Sequence, residues 1–283
     1  MNFEKYINLY RQHLISEKNL SINTIRSYEI DLKQFFDQSI SKKDLNNQLE
    51  NFISYLRKKS LPSTINRKIS VVKNYLKFLQ TERIVDHINL ENFNSFKNNH
   101  KIPKAINKKQ IDIIIRSLMT QKNKNSKMYA ILLKLMFLSG LRISEAINLK
   151  WTDLNTRDLT LNIYGKGAKE RRVYVTNDFI NDLNDIKSDF PLIFHINENK
   201  ISTRSVNKFL ENSYKEGMID FPISSHVFRH SFATAMLEND ADIRHIQKLL
   251  GHSSISTTEI YTKVARSRKK SVLDTYHPLK NKL

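Results

Sequence analysis

The chain has 283 residues, 40% of them hydrophobic, and a formal net charge of +19. That length suits two domains of ordinary size, and no apolar run reaches the ~18 residues that a membrane-spanning helix needs. Cysteine is absent, which excludes disulfides and thiolate metal sites. The opening Met-Asn-Phe-Glu-Lys-Tyr lacks a signal-peptide pattern. A cytoplasmic, nucleoid-associated protein with no membrane partner is therefore expected, and its charge will seek polyanions.

Residues 1–95 are expected to form a compact bundle of about four helices, by the spacing of their apolar positions. Ile22, Ile25, Tyr28, Leu32, Phe35 and Phe36 recur at helical spacing behind the polar starters Ser21 and Asn23. Ile53 and Leu56, then Ile65, Ile69, Val72, Tyr75, Leu76 and Leu79, repeat the pattern across a break at Leu61-Pro62. Nothing in this bundle suggests catalysis. Its basic residues, among them Arg26, Arg67 and Lys68, are candidate phosphate contacts.

A polar, basic, Pro-containing linker occupies residues 96–107. A second domain is expected over 108–265, with helices near 108–119 and 126–139 and a short one after Arg142. The period then changes. Residues 159–164 and 171–175 alternate like strands and flank Gly-Lys-Gly-Ala-Lys-Glu, which predicts a β-hairpin with a basic tip. Lys166, Lys169, Arg171 and Arg172 crowd that tip as further candidate DNA contacts. Helices are expected again near 177–188, 203–215, 225–238, 242–250, 256–264 and 266–275. The fold class is thus mainly α, with a small β-hairpin in the second domain. The two halves are both basic: residues 1–100 carry 16 Lys and Arg against 10 Asp and Glu, and residues 101–283 carry 31 against 18.

Several short segments carry chemistry. His226 and Arg229 are three apart and share a helix face, in a first turn whose free backbone N–H groups favour a phosphate. Ser224 and Ser225 stand before them as N-cap candidates. His226 and His230 also have metal-ligand spacing, but no His-Glu-x-x-His motif accompanies them. Arg142 follows a Ser-Gly-Leu turn that can aim it into a cleft, and Glu145, three residues on, can hold its guanidinium. Taken singly, each of these is an ordinary structural feature.

Together they are more specific. Arg142, Lys166, His226-x-x-Arg229, His252 and Tyr261, in this order, resemble the tyrosine recombinase (phage integrase) family, most closely its Xer-type members. Gly-Leu-Arg-Ile-Ser-Glu (140–145), His-Val-Phe-Arg-His (226–230), Leu-Leu-Gly-His-Ser-Ser-Ile-Ser-Thr-Thr-Glu-Ile-Tyr (249–261) and Tyr-His-Pro-Leu (276–279) carry the resemblance, which spans the whole chain. No arm-binding domain of the kind that larger phage integrases carry is expected before the bundle.

The resemblance implies a helical core-binding domain that clamps DNA, then a catalytic domain. It implies Tyr261 as the nucleophile and Arg142, Lys166, His226, Arg229 and His252 as its catalytic partners. It also implies a 3′-phosphotyrosyl intermediate formed without metal or ATP. Residues 266–283 would dock on a neighbouring protomer. The partners implied are double-stranded DNA with an inverted-repeat site, arranged with a homo-tetramer or a hetero-tetramer containing a second recombinase. A DNA translocase or another accessory protein is a further candidate partner. A type IB topoisomerase-like enzyme, a DNA-binding protein without activity and a metal hydrolase built on His226 and His230 stay open as alternatives.

Overall fold

The computed structural model describes residues 3–18, 20–38, 45–85, 90, 96, 106–121, 123–165 and 170–251. The chain divides into two compact units, Met1–Lys101 and Ile102–Leu283. Most of the expected linker and all of residues 252–283 lie outside the described residues.

The first unit contains α1 (Ile7–Ser16), α2 (Ile22–Asp37), α3 (Leu45–Lys59) and α4 (Pro62–Thr81). Ser21 begins α2 by accepting a hydrogen bond from the Thr24 N–H. Pro62 begins α4 at a first-turn position, where its missing N–H costs nothing. The apolar faces meet around Leu32, Phe35, Phe52, Tyr75, Leu76 and Leu79, all fully buried. Phe35 and Phe52 pack edge to face at 5.4 Å. Ile22 departs from the expected apolar face: it is exposed at the first position of its helix.

Asp31 is buried in this unit and carries an ion pair to each of two neighbours on α4. Arg67 forks onto it, with Nη2 donating to Oδ1 at 3.0 Å, and the Lys68 ammonium donates to Oδ1 at 2.9 Å. Arg67 keeps about half of its side chain exposed, whereas Lys68 is largely buried. These two cations therefore hold the bundle together as well as adding to its charge. Arg26 is exposed on α2.

The second unit begins with α5 (Lys108–Met119), closed at its start by a capping box between Asn107 and Gln110. α6 (Lys124–Ser139) is its central helix, with Ala130, Ile131, Leu132, Leu133, Leu135 and Met136 completely buried. Lys134, the one charge in that run, pairs with Asp182. The short α7 (Ile143–Ala146) follows.

β1 (Leu154–Asn155), β2 (Thr160–Tyr164) and β3 (Glu170–Tyr174) form an antiparallel sheet in sequence order. The register pairs Leu161 with Val173 and Ile163 with Arg171. The expected hairpin is β2–β3, and its tip, residues 166–169, lies outside the described residues. α8 (Asn177–Asn184) is shorter than its periodicity suggests. A two-residue hairpin of β4 (His195–Ile196) and β5 (Asn199–Lys200) was not foreseen; Asn197 and Glu198 turn it, both at positive φ. α9 (Thr203–Lys215), α10 (Ser225–Glu238) and α11 (Ile243–Leu250) complete the described chain. Among the described residues no helix is long and apolar enough to cross a membrane. The helices expected near 256–264 and 266–275 lie outside the described residues.

Candidate active site

Two left-handed glycines build this site. Gly140 ends α6 at φ 64°, and Gly251 ends α11 at φ 63°. Both turns need a residue that takes positive φ freely. Gly140 is also tightly enclosed: a Cβ there would lie 2.4 Å from Cδ1 of Phe232 and 2.8 Å from Cδ2 of Leu250. Each turn ends a helix whose final carbonyls carry partial negative charge. Arginines take up those carbonyls.

Arg229, on α10, is buried and donates from Nη1 to the Gly140 carbonyl at 2.6 Å and from Nη2 to the Leu250 carbonyl at 2.7 Å. Arg142 stands at the start of α7 and donates from Nη2 to the Gly251 carbonyl at 3.2 Å. The carbonyls of residues 250 and 251 are neighbours in the chain, so the two arginines are held side by side.

Glu145 binds this cluster from below. Its side chain is 6% exposed. It accepts four N–H donors: the Arg142 backbone N–H at 2.8 Å, Arg142 Nη1 at 3.0 Å, and Arg171 Nη1 and Nη2 at 3.0 and 2.7 Å. Arg229 Nη1 approaches to 3.9 Å. Burial alone would favour the protonated acid. The hydrogen bonds from Arg171 and the Arg142 backbone, together with both guanidinium charges, outweigh burial and hold the carboxyl below its ordinary value. Three guanidinium charges thus surround one carboxylate, and the surplus is positive. The Arg142 side chain remains 38% exposed. With one N–H on Glu145 and one on Gly251, three of its five donors are left to meet a ligand.

Arg171 is the residue whose placement the sequence reading missed. It was grouped with the basic hairpin tip, but its side chain is 17% exposed and turned inward, forked onto Glu145. The signal was present in the alternation of β3. Val173 is buried, and Arg171, two residues away, shares its face, while Glu170, Arg172 and Tyr174 face solvent. Arg172 reaches across to Asn162, its register partner, at 3.4 Å. Among the described residues the buried Arg171 Nε–H has no partner, a cost of about 1–3 kcal/mol that the fork onto Glu145 offsets.

His226 lies exposed in the first turn of α10, one turn from Arg229. Ser224 occupies the N-cap position, but its side chain makes no cap bond; the Ser225 N–H is met instead by Asn207 Oδ1 of α9 at 3.0 Å. Among the described residues no group of three or more His, Cys, Asp or Glu is gathered as a metal site. Lys166, Lys169, His252 and Tyr261 lie outside the described residues. The arrangement brings Arg142, Arg229, Glu145 and Arg171 together, with His226 on the same helix face as Arg229. Such a cluster can bind and polarise a phosphate diester.

Comparison with known proteins gives this cluster its setting. Residues 104–268 match the model of the phage integrase family, and residues 7–83 match that of the phage integrase N-terminal SAM-like domain. The chain belongs to the phage integrase family. It is a tyrosine recombinase, and thus an enzyme, and it is Xer-like. It is 35% identical to a tyrosine recombinase of Agathobacter rectalis over 99% of this chain and 98% of that one. It is 31% identical to the tyrosine recombinase XerD of Listeria innocua, over 94% and 96% of the two chains.

Among solved structures, XerH bound to a palindromic difH substrate in a post-cleavage complex aligns with a TM-score of 0.74 at 21% identity, covering 96% of this chain and 84% of that one. A lambda integrase dimer bound to a COC′ core site aligns with a TM-score of 0.74 at 14% identity, over 90% and 96%. At these identities the two structures speak for the two-domain recombinase fold.

Proposed function

We propose that this recombinase cleaves and rejoins duplex DNA at specific sites through a 3′-phosphotyrosyl intermediate. The observation that carries the reading is the arginine cluster on Glu145: Arg142 and Arg229 are held side by side with surplus positive charge.

In this reading the Tyr261 oxygen attacks the scissile phosphorus. A Tyr–O–P bond forms and the bond to the 5′-oxygen breaks. A phenol of pKa ~10 is a weak nucleophile until its proton is removed, and His226 accepts that proton. Charge grows on the two non-bridging oxygens in the transition state. The guanidinium charges of Arg142 and Arg229 meet it, supplying the compensation that a metal ion supplies in other phosphoryl transfers. His252 donates a further hydrogen bond to the same phosphate. Lys166 protonates the departing 5′-oxygen, which is too basic to leave unaided. The phosphoester energy is kept in the covalent link, so resealing needs no ATP.

XerH and lambda integrase were each solved on DNA, and a lambda integrase tetramer was solved on a Holliday junction. By analogy, this chain acts as a tetramer on two inverted-repeat sites, either alone or with a second recombinase. An accessory protein such as a DNA translocase could control it. Residues 266–283 link neighbouring protomers. The roles in view are chromosome- or plasmid-dimer resolution and mobile-element integration or excision. The net charge of +19, spread over both units, suits a long DNA footprint.

Trapping on fragmented genomic DNA tests this reading: wild type and Tyr261→Phe are quenched with SDS, and the protein-linked 3′ ends are sequenced. Adducts clustered at a few inverted-repeat loci and lost in Tyr261→Phe are the expected result. Adducts scattered without site preference would replace it with a topoisomerase-like enzyme.

A further inference from the structure

The cluster contains a device that the roles above do not use. Arg142 and Glu145 sit three residues apart on one short helix. Left to themselves, an exposed arginine and a buried carboxylate at that spacing would close into a two-pronged pair, because the parallel fork is the strongest arrangement open to them. They do not. Arg171 already occupies both carboxylate oxygens with its own fork, at 3.0 and 2.7 Å. Arg142 is left a single side-on bond to Oε1, at 3.0 Å, and turns its other terminal nitrogen to the Gly251 carbonyl.

The position of Arg171 makes this arrangement rigid. It pairs with the buried Ile163 across the sheet and shares its face of β3 with the buried Val173. Its guanidinium also lies against Gly251, where a Cβ would be 3.4 Å from Nη1. One side chain therefore touches the sheet, the carboxylate below Arg142 and the turn whose carbonyl holds Arg142.

We propose that Arg171 is a positioning residue for the cleavage reaction: by saturating Glu145 it prevents Arg142 from collapsing onto that carboxylate and keeps the outer donors of Arg142 aimed at the scissile phosphate. The inference rests on the proposed function and deepens it. Arg171 touches no substrate; it acts through Glu145. Without it, Glu145 would recruit the fork of Arg142, and the phosphate would lose its charge compensation. Lysine cannot replace it fully, since an ammonium is a point charge that cannot fork both oxygens.

The test compares wild type, Arg171→Ala and Arg171→Lys in the full-length protein. The probes are two duplexes carrying one locus recovered by the trapping experiment. One has the natural scissile phosphodiester. In the other a methyl group replaces one non-bridging oxygen, so that the scissile centre is neutral and calls for less cationic compensation. On the natural duplex, the rate of SDS-stable adduct formation is expected to fall on the order of 10- to 100-fold in Arg171→Ala, as for a misplaced reacting group. It should fall less in Arg171→Lys. DNA affinity should stay within about threefold, because Arg171 contacts no phosphate.

On the neutral duplex, the gap between wild type and Arg171→Ala should shrink to about threefold or less. A gap of the same size on both duplexes would mean general damage to the fold and would overturn the positioning role. So would an unimpaired rate on the natural duplex. Should Arg171→Ala lose its cooperative melting transition, Arg171→Lys decides by the same two comparisons. Wild type forming no adduct on either duplex would instead overturn the proposed function itself, and this inference with it.

Discussion

Replacing Gly140 by alanine perturbs the backbone turn that positions Arg142 and Arg229. Two costs add. The residue is at φ 64°, and alanine pays roughly 1–2 kcal/mol to stay in the left-handed region. The new methyl group would also lie 2.4 and 2.6 Å from ring atoms of Phe232 and 2.8 Å from Leu250. Forcing a methyl into a packed site costs about 1–3 kcal/mol more. The total is about 2–5 kcal/mol.

Gly217→Ala supplies the control. Gly217 is at φ 73° with nothing within 4 Å of its Cβ position, so only the backbone cost of roughly 1–2 kcal/mol applies. Urea unfolding followed by Trp151 fluorescence isolates the second unit, because Trp151 is the sole tryptophan and packs against that unit's core. The Gly140 carbonyl also accepts Arg229 Nη1, and Phe232 lies on the same helix as Arg229. Gly140→Ala should therefore lose adduct formation well beyond what its unfolded fraction explains, whereas Gly217→Ala should not. Equal losses of stability in the two variants, or a fully active Gly140→Ala, would refute the reasoning.

Three further outcomes follow from other parts of the molecule. The Glu145 carboxyl is held below its ordinary value in the folded state, so its stabilising contribution is complete above the unfolded value of ~4.3 and is lost as pH falls through the lower folded value. Urea midpoints of wild type and Glu145→Gln should therefore converge as pH falls below about 4.3, and parallel profiles would exclude Glu145 as the source. Asp31→Ala should destabilise the helical unit by about 2–3 kcal/mol, below the usual cost of breaking a buried pair because Arg67 is half solvated; circular-dichroism melts showing no change would make the ion pairs incidental. Lys166→Ala should cleave slowly, and sulfur in place of the 5′-bridging oxygen should restore the rate, since a thiolate leaves without protonation; failure of that rescue would remove Lys166 from the acid role.

How far the molecule could be read from its sequence varied with how local the cause was. α9 stands at its expected bounds with a local capping box between Ser202 and Ser205, α10 stands at its expected bounds although its first N–H is met from α9, and Gly251 marks the end of α11 within the segment itself. A helix was expected near 177–188, and Phe179, Leu183 and Ile186 do keep helical spacing. Ile186 is indeed buried, but it packs from the turn after Asn184. β4 and β5 are two residues each, too short for any alternation to show.

In the site, the pairing of Arg142 with Glu145 could be read from their spacing. The partners that matter most come from far along the chain: the Gly140 and Leu250 carbonyls for Arg229, Asn207 for the Ser225 N–H, and Arg171 for Glu145. Only the last left a trace in the sequence, in the alternation of β3.

The most direct measurement of the central claim is the mass of the covalent adduct. Protein trapped on DNA would be digested with nuclease and protease, and the nucleotide-bearing peptide sequenced by mass spectrometry. The account predicts a 3′-linked nucleotide on Tyr261 and on no other residue. A nucleotide attached elsewhere, or through its 5′-phosphate, would contradict it.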